Sequence, residues 1–313
     1  MARRANLGLV LISCLMVVVG CGGEDDPLAP PPVDPVDPAP PTLAIPQILP
    51  PSALQSVMSQ IILPTNGTEH SLDLDGDGVV DNQVGRLLGL LKSELEIDLQ
   101  PTLDAQLQAG KAIVLFDLLA SSLWSEEQAV IHASLGRDLD DDATNNFSGV
   151  EPFQALADVL HTSTLPGAIS AGKLATTNPA AGFVALPFLS KTAILPLRKT
   201  RIQATVAADG MQQAVLAGAI PVAEVISLLA PVLAAELDRL YRLPDLSPVA
   251  RQAFKTWLDA DGDGTIAEQE LTSSDAFGFL LHTADIDTDD DGTPDAVSFG
   301  IAFRSVPCSI QAP

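Results

Sequence analysis

Three times the chain sets aspartates at alternate positions and then turns on a glycine: DLDGDGVVD at 73–81, DADGDGTIAEQE at 259–270 and DTDDDGTPD at 287–295. Two unit charges 4 Å apart repel by about 1 kcal/mol even in bulk water, and by more near a protein surface. Each segment therefore needs a positive charge among its carboxylates. Aspartate and glycine are also poor helix and strand formers, so the segments must be loops. The rest of the chain is short of cations, with Lys+Arg 16 against Asp+Glu 40 and a formal net charge of -24 over 313 residues. A field of that sign makes nucleic acid a poor partner and metal cations natural ones.

Hard oxygen donors at this density suit Ca2+, which takes about six to eight oxygen ligands. At 259–270, Asp259, Asp261 and Asp263 offer carboxylates and Gly264 the turn, Thr265 offers its carbonyl, Ala267 leaves room for water, and Glu270 can bind through both oxygens. The segment resembles an EF-hand loop, with Ile266 at the apolar eighth position through which such loops pair. Ahead of it, Ser247 is a candidate N-cap with Pro248 at the first helical position. Val249, Ala253, Phe254, Trp257 and Leu258 make an apolar face there, whereas Ser273, Ser274, Asp275 and Gly278 interrupt the exit side.

The other two segments offer Asp73, Asp75, Asp77, the Val79 carbonyl and Asp81, and Asp287, Asp289, Asp291, the Thr293 carbonyl and Asp295. Val84 and Ser298 stand where a closing glutamate would be. Both segments resemble the shorter calcium loops of thrombospondin type 3 repeats, which implies weaker binding, in the range of roughly 10⁻⁴ to 10⁻³ M. Pro294 at the eighth position of the third loop has no N–H to donate. Val80 of the first loop is therefore the expected partner of Ile266. Asp138, Asp140, Asp141 and Asp142 form a fourth acidic cluster that lacks the glycine, and it reads as a solvated loop.

The N-terminus places Arg3 and Arg4 before an apolar run at 7–19 that ends at Gly20-Cys21. That is the layout of an export signal, and the run is shorter than the roughly 20 residues a membrane span needs. Val18-Val19-Gly20-Cys21 resembles the cleavage box of bacterial lipoproteins, which implies removal of residues 1–20 and lipidation of Cys21. Gly22 then suggests an outer-membrane location in the cell envelope, with the membrane as partner through the anchor. Residues 24–51 hold eleven of the 25 prolines, so the linker after Cys21 should be an extended polyproline stalk, reaching on the order of 80 Å. Of three cysteines, Cys14 leaves with the signal and Cys21 is lipidated; Cys308 alone remains, so the mature chain has no internal disulfide.

Residues 52–313 read as one calcium-binding α+β domain. Helical periodicity is expected at 52–63 and 82–95, where Leu87, Leu88, Leu91 and Leu95 share a face. Residues 110–120 have strand character, and short apolar runs at 167–220 suggest an antiparallel sheet or small sandwich, which puts the β-rich part at about 104–220. The Ala/Leu segment at 222–241 should be a helix kinked by Pro231, and the EF-hand part should span 247–281. Catalytic motifs are lacking: His70, His132, His161 and His282 have no metalloprotease spacing, and no nucleophile elbow or phosphate-binding glycine loop is present. The expected function is exported, lipid-anchored calcium binding with a structural ion and no enzymatic activity. A surface adhesion or ligand-binding module, or a calcium-dependent hydrolase, are the alternatives.

Overall fold

The computed structural model describes residues 51–313 apart from 158–160, 178, 189–190, 276 and 279–283. The export signal, Cys21, nearly all of the proline-rich linker and His282 lie outside the described residues. The first strand, β1 (Ser52–Ile62), leads through the first acidic loop to helices α1 (Gln83–Glu94) and α2 (Gln100–Gln108). Strands β2 (Val114–Leu119), β3 (Ser125–Asp138), β4 (Pro152–Ala155), β5 (Thr162–Ser170), β6 (Lys173–Thr176), β7 (Ala180–Pro187), β8 (Thr192–Ala207) and β9 (Gly210–Pro221) come next. Then come α3 (Val222–Glu224), a π-helical turn (Val225–Leu229), α4 (Ala230–Tyr241), α5 (Pro248–Trp257), α6 (Glu268–Ser273), β10 (Ala296–Pro307) and β11 (Ser309–Gln311).

The architecture is a closed antiparallel β-barrel. Its eight strands run in the order β3-β2-β1-β10-β9-β8-β6-β5, and β5 pairs back onto β3 from Ser125↔Ser170 to Ser134↔Thr162. This overturns the expected α+β sheet or sandwich flanked by helices, because strands β1, β10 and β11 outside 104–220 are integral to the β-structure and the helices are short. The strand β8 carries β9 on one edge and, in succession, β7 and β6 on the other. Beyond the barrel, β4 adds to the end of β3, and β11 pairs parallel to β4.

The strand β1 replaces the helix expected at 52–63, and the reason is local. Leu54, Val57, Met58 and Ile61 are all buried and fall at helical spacing. A register shift between Met58 and Gln60 interrupts the alternation of the strand, so Leu54, Met58 and Ile61 face the main core while Val57 packs in a separate cluster with Ile113, Leu115 and Phe153. A bulge adds one residue to one strand and so imitates a helical repeat in the sequence.

Side chains fill the barrel. Phe116 and Phe303 stack with ring centroids 5.1 Å apart, and the space left among Met58, Phe116, Leu165, Phe183, Ile202 and Leu216 is ≈ 10 Å³. The helix α1 forms as expected: Asn82 caps it by accepting from the Gly85 N–H, and Val84, Leu87 and Leu91 turn inward. At 222–241 the helix is regular only from Ala230, and the π-helical turn just ahead of Pro231 lies where that residue's missing N–H interrupts the ladder of a continuous helix. Among the described residues no helix is long and apolar enough to cross a membrane. Cys308 packs in the outer cluster with Phe153 and Ile310, where burial and the Asp117 charge push its thiol up to about 12.

A close backbone approach and a bridging side chain lay the first acidic loop on β10. Gly300 of β10 lies against the backbone of His70 and Ser71, and a Cβ there would overlap the His70 carbonyl oxygen. The Asn82 side-chain amide donates to the carbonyls of Glu69 and Gly300 at 2.8 and 3.0 Å, which ties the loop's two ends to the strand. Gly300→Ala should cost on the order of 3 kcal/mol by overpacking; a denaturant melt matching wild type would show that this contact does not hold the loop.

Candidate metal sites

Among the described residues, four groups of carboxylates each bring three oxygens within 4.8 Å of one another: Asp73, Asp75 and Asp77; Asp138, Asp140 and Glu151; Asp259, Asp261 and Asp263; Asp287, Asp289 and Asp291. A Ca2+ ion about 2.3–2.6 Å from each ligand can join oxygens up to roughly 5 Å apart. Each group could therefore hold a metal ion.

The three glycine-turned loops share one hydrogen-bond pattern. The first aspartate accepts the N–H of the sixth residue: Gly78 to Asp73 at 3.0 Å, Gly264 to Asp259 at 3.2 Å and Gly292 to Asp287 at 2.6 Å. The second aspartate accepts the N–H of the third, and the third that of the seventh residue, as in Asp77 to Asp75 at 3.2 Å and Val79 to Asp77 at 2.7 Å. Gly78, Gly264 and Gly292 take φ of +87°, +84° and +89°, values costly for a residue with a Cβ. The wrapped backbone favours the charged form of Asp73 and Asp263. The Gly76 N–H keeps Asp73 below the usual carboxylate range, and the Thr265 hydroxyl and N–H do so for Asp263.

The second loop sits between α5 and α6. Asp259 is only 3% exposed; its Oδ2 accepts from the Tyr241 hydroxyl at 3.1 Å and from Gly264, while its buried Oδ1 has no partner among the described residues. Glu270 lies outside the triplet. Its carboxylate accepts from Ala260 and Asp261 N–H at 2.9 and 3.3 Å and from Ala267 N–H at 2.9 Å, so it binds both ends of the loop. Thr265 donates its N–H and hydroxyl to Asp263 Oδ1 at 2.8 and 2.7 Å. Ser247 caps α5 as expected, and Phe254 stacks on Tyr241. The expected apolar face of α5 is only half used: Phe254 and Leu258 are buried, but Val249 and Trp257 are exposed.

The expected pairing of Ile266 with Val80 does not form. The Ile266 N–H donates to Asp238 Oδ1 at 3.0 Å, and Asp238 also pairs with Arg242 at the end of α4. The first loop instead neighbours the third. Leu72 and Leu74 pack with Ile286 and Ala296 against Ala217 and Ala219 of β9. From β8, Arg201 donates to the Asp73 carbonyl and Lys199 pairs with Asp290, both at 2.9 Å.

Asp81 and Asp295, the ninth-position carboxylates, also lie outside their triplets. Burial, then Asp77 and Asp75, push Asp81 above the usual carboxylate range, while Asp295 accepts from the Thr288 N–H and hydroxyl at 2.8 Å. Ile286 and Ala296 form a two-residue bridge at the neck of the third loop. Ser298, expected only as a missing ligand, is buried in β10; it donates to Asp285 from its N–H and hydroxyl at 2.8 and 2.6 Å and accepts from the Gln83 N–H at 2.9 Å. Burial, with Asp81 adding, raises Asp285. Asp285 and Glu151 are invisible to spacing: one precedes its loop, and the other lies thirteen residues beyond Asp138.

Comparison with protein-family models, curated proteins and solved structures finds no match. Tyr241→Phe should lose the hydrogen bond to Asp259 and lower stability by about 1–2 kcal/mol; an unchanged melting temperature would show that Asp259 does not depend on that hydroxyl.

Proposed function

We propose that this chain is an exported, lipid-anchored calcium-binding protein in which Ca2+ serves structure and not catalysis. The observation that carries the reading is Asp259 Oδ1, buried and unpartnered inside a carboxylate triplet. A buried anionic oxygen with no donor is costly unless a cation takes it. Asp259, Asp261, Asp263, the Thr265 carbonyl and Glu270 would hold one ion as an EF-hand loop does. Asp73, Asp75, Asp77, the Val79 carbonyl and Asp81 would hold a second. Asp287, Asp289, Asp291, the Thr293 carbonyl and Asp295 would hold a third.

The ions would relieve repulsion within each loop and hold the first and third loops against β9 and β10. The lipid on Cys21 and the proline-rich linker would place the domain at the cell envelope, on the outer membrane. The sequence supports that placement through the Val18-Val19-Gly20-Cys21 box.

A Ca2+ concentration one hundred times Kd should stabilise the fold by about 2.7 kcal/mol, a rise of roughly 5–10 °C in melting temperature for a domain of this size. Asp259→Asn should remove a large part of that rise, and identical melting in chelator and in calcium would refute the structural role. Cys21→Ser should move the protein from the membrane to the soluble fraction of a fractionated cell; retention on the membrane would refute the anchor.

A further inference from the structure

We propose that the C-terminal end of α4 is the partner of the second loop, with Tyr241 as a positioning residue for its Ca2+ ion and Asp238 in the place of a second EF-hand loop. The inference rests on the calcium reading of that loop. Among the described residues, its first carboxylate, Asp259, is buried and keeps Oδ1 without a donor. A buried anionic oxygen left unmet points to a cation. The question is then what holds that oxygen in place.

Two hydrogen bonds to one turn of α4 fix the loop at two of its positions. At the first position the Tyr241 hydroxyl donates to Asp259 Oδ2 at 3.1 Å, and at the eighth the Ile266 N–H donates to Asp238 Oδ1 at 3.0 Å. Asp238 and Tyr241 stand three residues apart, so both lie on one side of the helix. Each is held in turn. The Tyr241 ring stacks on Phe254 with centroids 5.2 Å apart and planes at 15°, and its carbonyl accepts from Arg251 at 3.1 Å. Asp238 pairs with Arg242 at 2.9 Å.

A carboxylate with one oxygen hydrogen-bonded to a fixed donor cannot turn freely, and it presents its other oxygen at a set angle. Tyr241 therefore orders Asp259 before an ion arrives, as groups behind metal ligands do. Asp238 does the matching work at the other side of the loop. The N–H through which an EF-hand loop would join a second loop is taken by a side chain of α4, and Ile266 itself is buried in the main core. The second loop thus needs no other acidic loop beside it to keep its shape.

The test is calorimetric titration of the full-length chain with Ca2+, for wild type, Tyr241→Phe and Asp238→Ala. Tyr241 is the chain's single tyrosine, so in wild type a shift in tyrosine absorbance during the titration marks the second loop as it fills. Tyr241→Phe keeps the ring against Phe254 and removes only the hydroxyl. It should raise the Kd of that site about tenfold and leave the other sites unchanged. Asp238→Ala should raise the same Kd and carry the tyrosine shift to higher Ca2+. A hydroxyl that only stabilises the fold would lower the melting temperature in chelator and leave Kd as it was. An unchanged or lower Kd in either variant would overturn the proposal, as would a tyrosine signal that stays still while ions bind. A wild-type chain that binds no Ca2+ would instead overturn the calcium reading beneath it.

Discussion

Closure of the sheet by the pairing of β5 with β3 is the constraint that sets the rest of the structure. Once that ladder forms, β3 is bonded along both edges, by β2 and by β5, and the eight strands have no free edge to offer another chain. Closure demands curvature, which the register shifts in β1, β3 and β8 supply. It also demands a filled interior, which Phe116, Phe303 and their aliphatic neighbours provide. The barrel cannot close without β1, which lies between β2 and β10, so residues 56–62 wait for partners at 302–307. Pairing over that sequence distance is entropically costly and slows folding.

Negative charge is then distributed on this frame in a particular way. The first and third loops share a small apolar seam over β9 and β10, where β8 supplies Lys199 and Arg201. The second is separate, seated on α4 through the Ile266 N–H and Asp238. Where the first and third loops adjoin, Ser298 donates to Asp285 and accepts the first N–H of α1, and Asp81 adds to the burial that raises Asp285.

Much of the local structure was legible in the residues. The amphipathic run at 82–95, Ser247-Pro248 ahead of α5 and the glycines at 78, 264 and 292 each specify a conformation through contacts a few residues long, and each stands as expected. The strands at 114–119 and at 162–221 also carried readable apolar runs. The strands β1 and β10 did not. In β1 the bulge mimics helical spacing, and in β10 every residue from Ala296 to Ala302 is buried, because the acidic loops cover the outer face and erase the alternation of a half-exposed strand. The helix expected at 52–63 and the sandwich expected in the middle fell for that reason.

By itself the sequence determined the carboxylate triplets at 73–77, 259–263 and 287–291, because alternate aspartates followed by a glycine at positive φ converge within one turn of chain, whatever surrounds them. Tertiary structure alone decided that the first loop lies beside the third, that Ile266 is held by Asp238 and not by Val80, and that Glu151 joins Asp138 and Asp140. Those meetings depend on which strands pair and where the barrel closes, and the free energy of pairing belongs to residues too far apart in the chain for any local pattern to record.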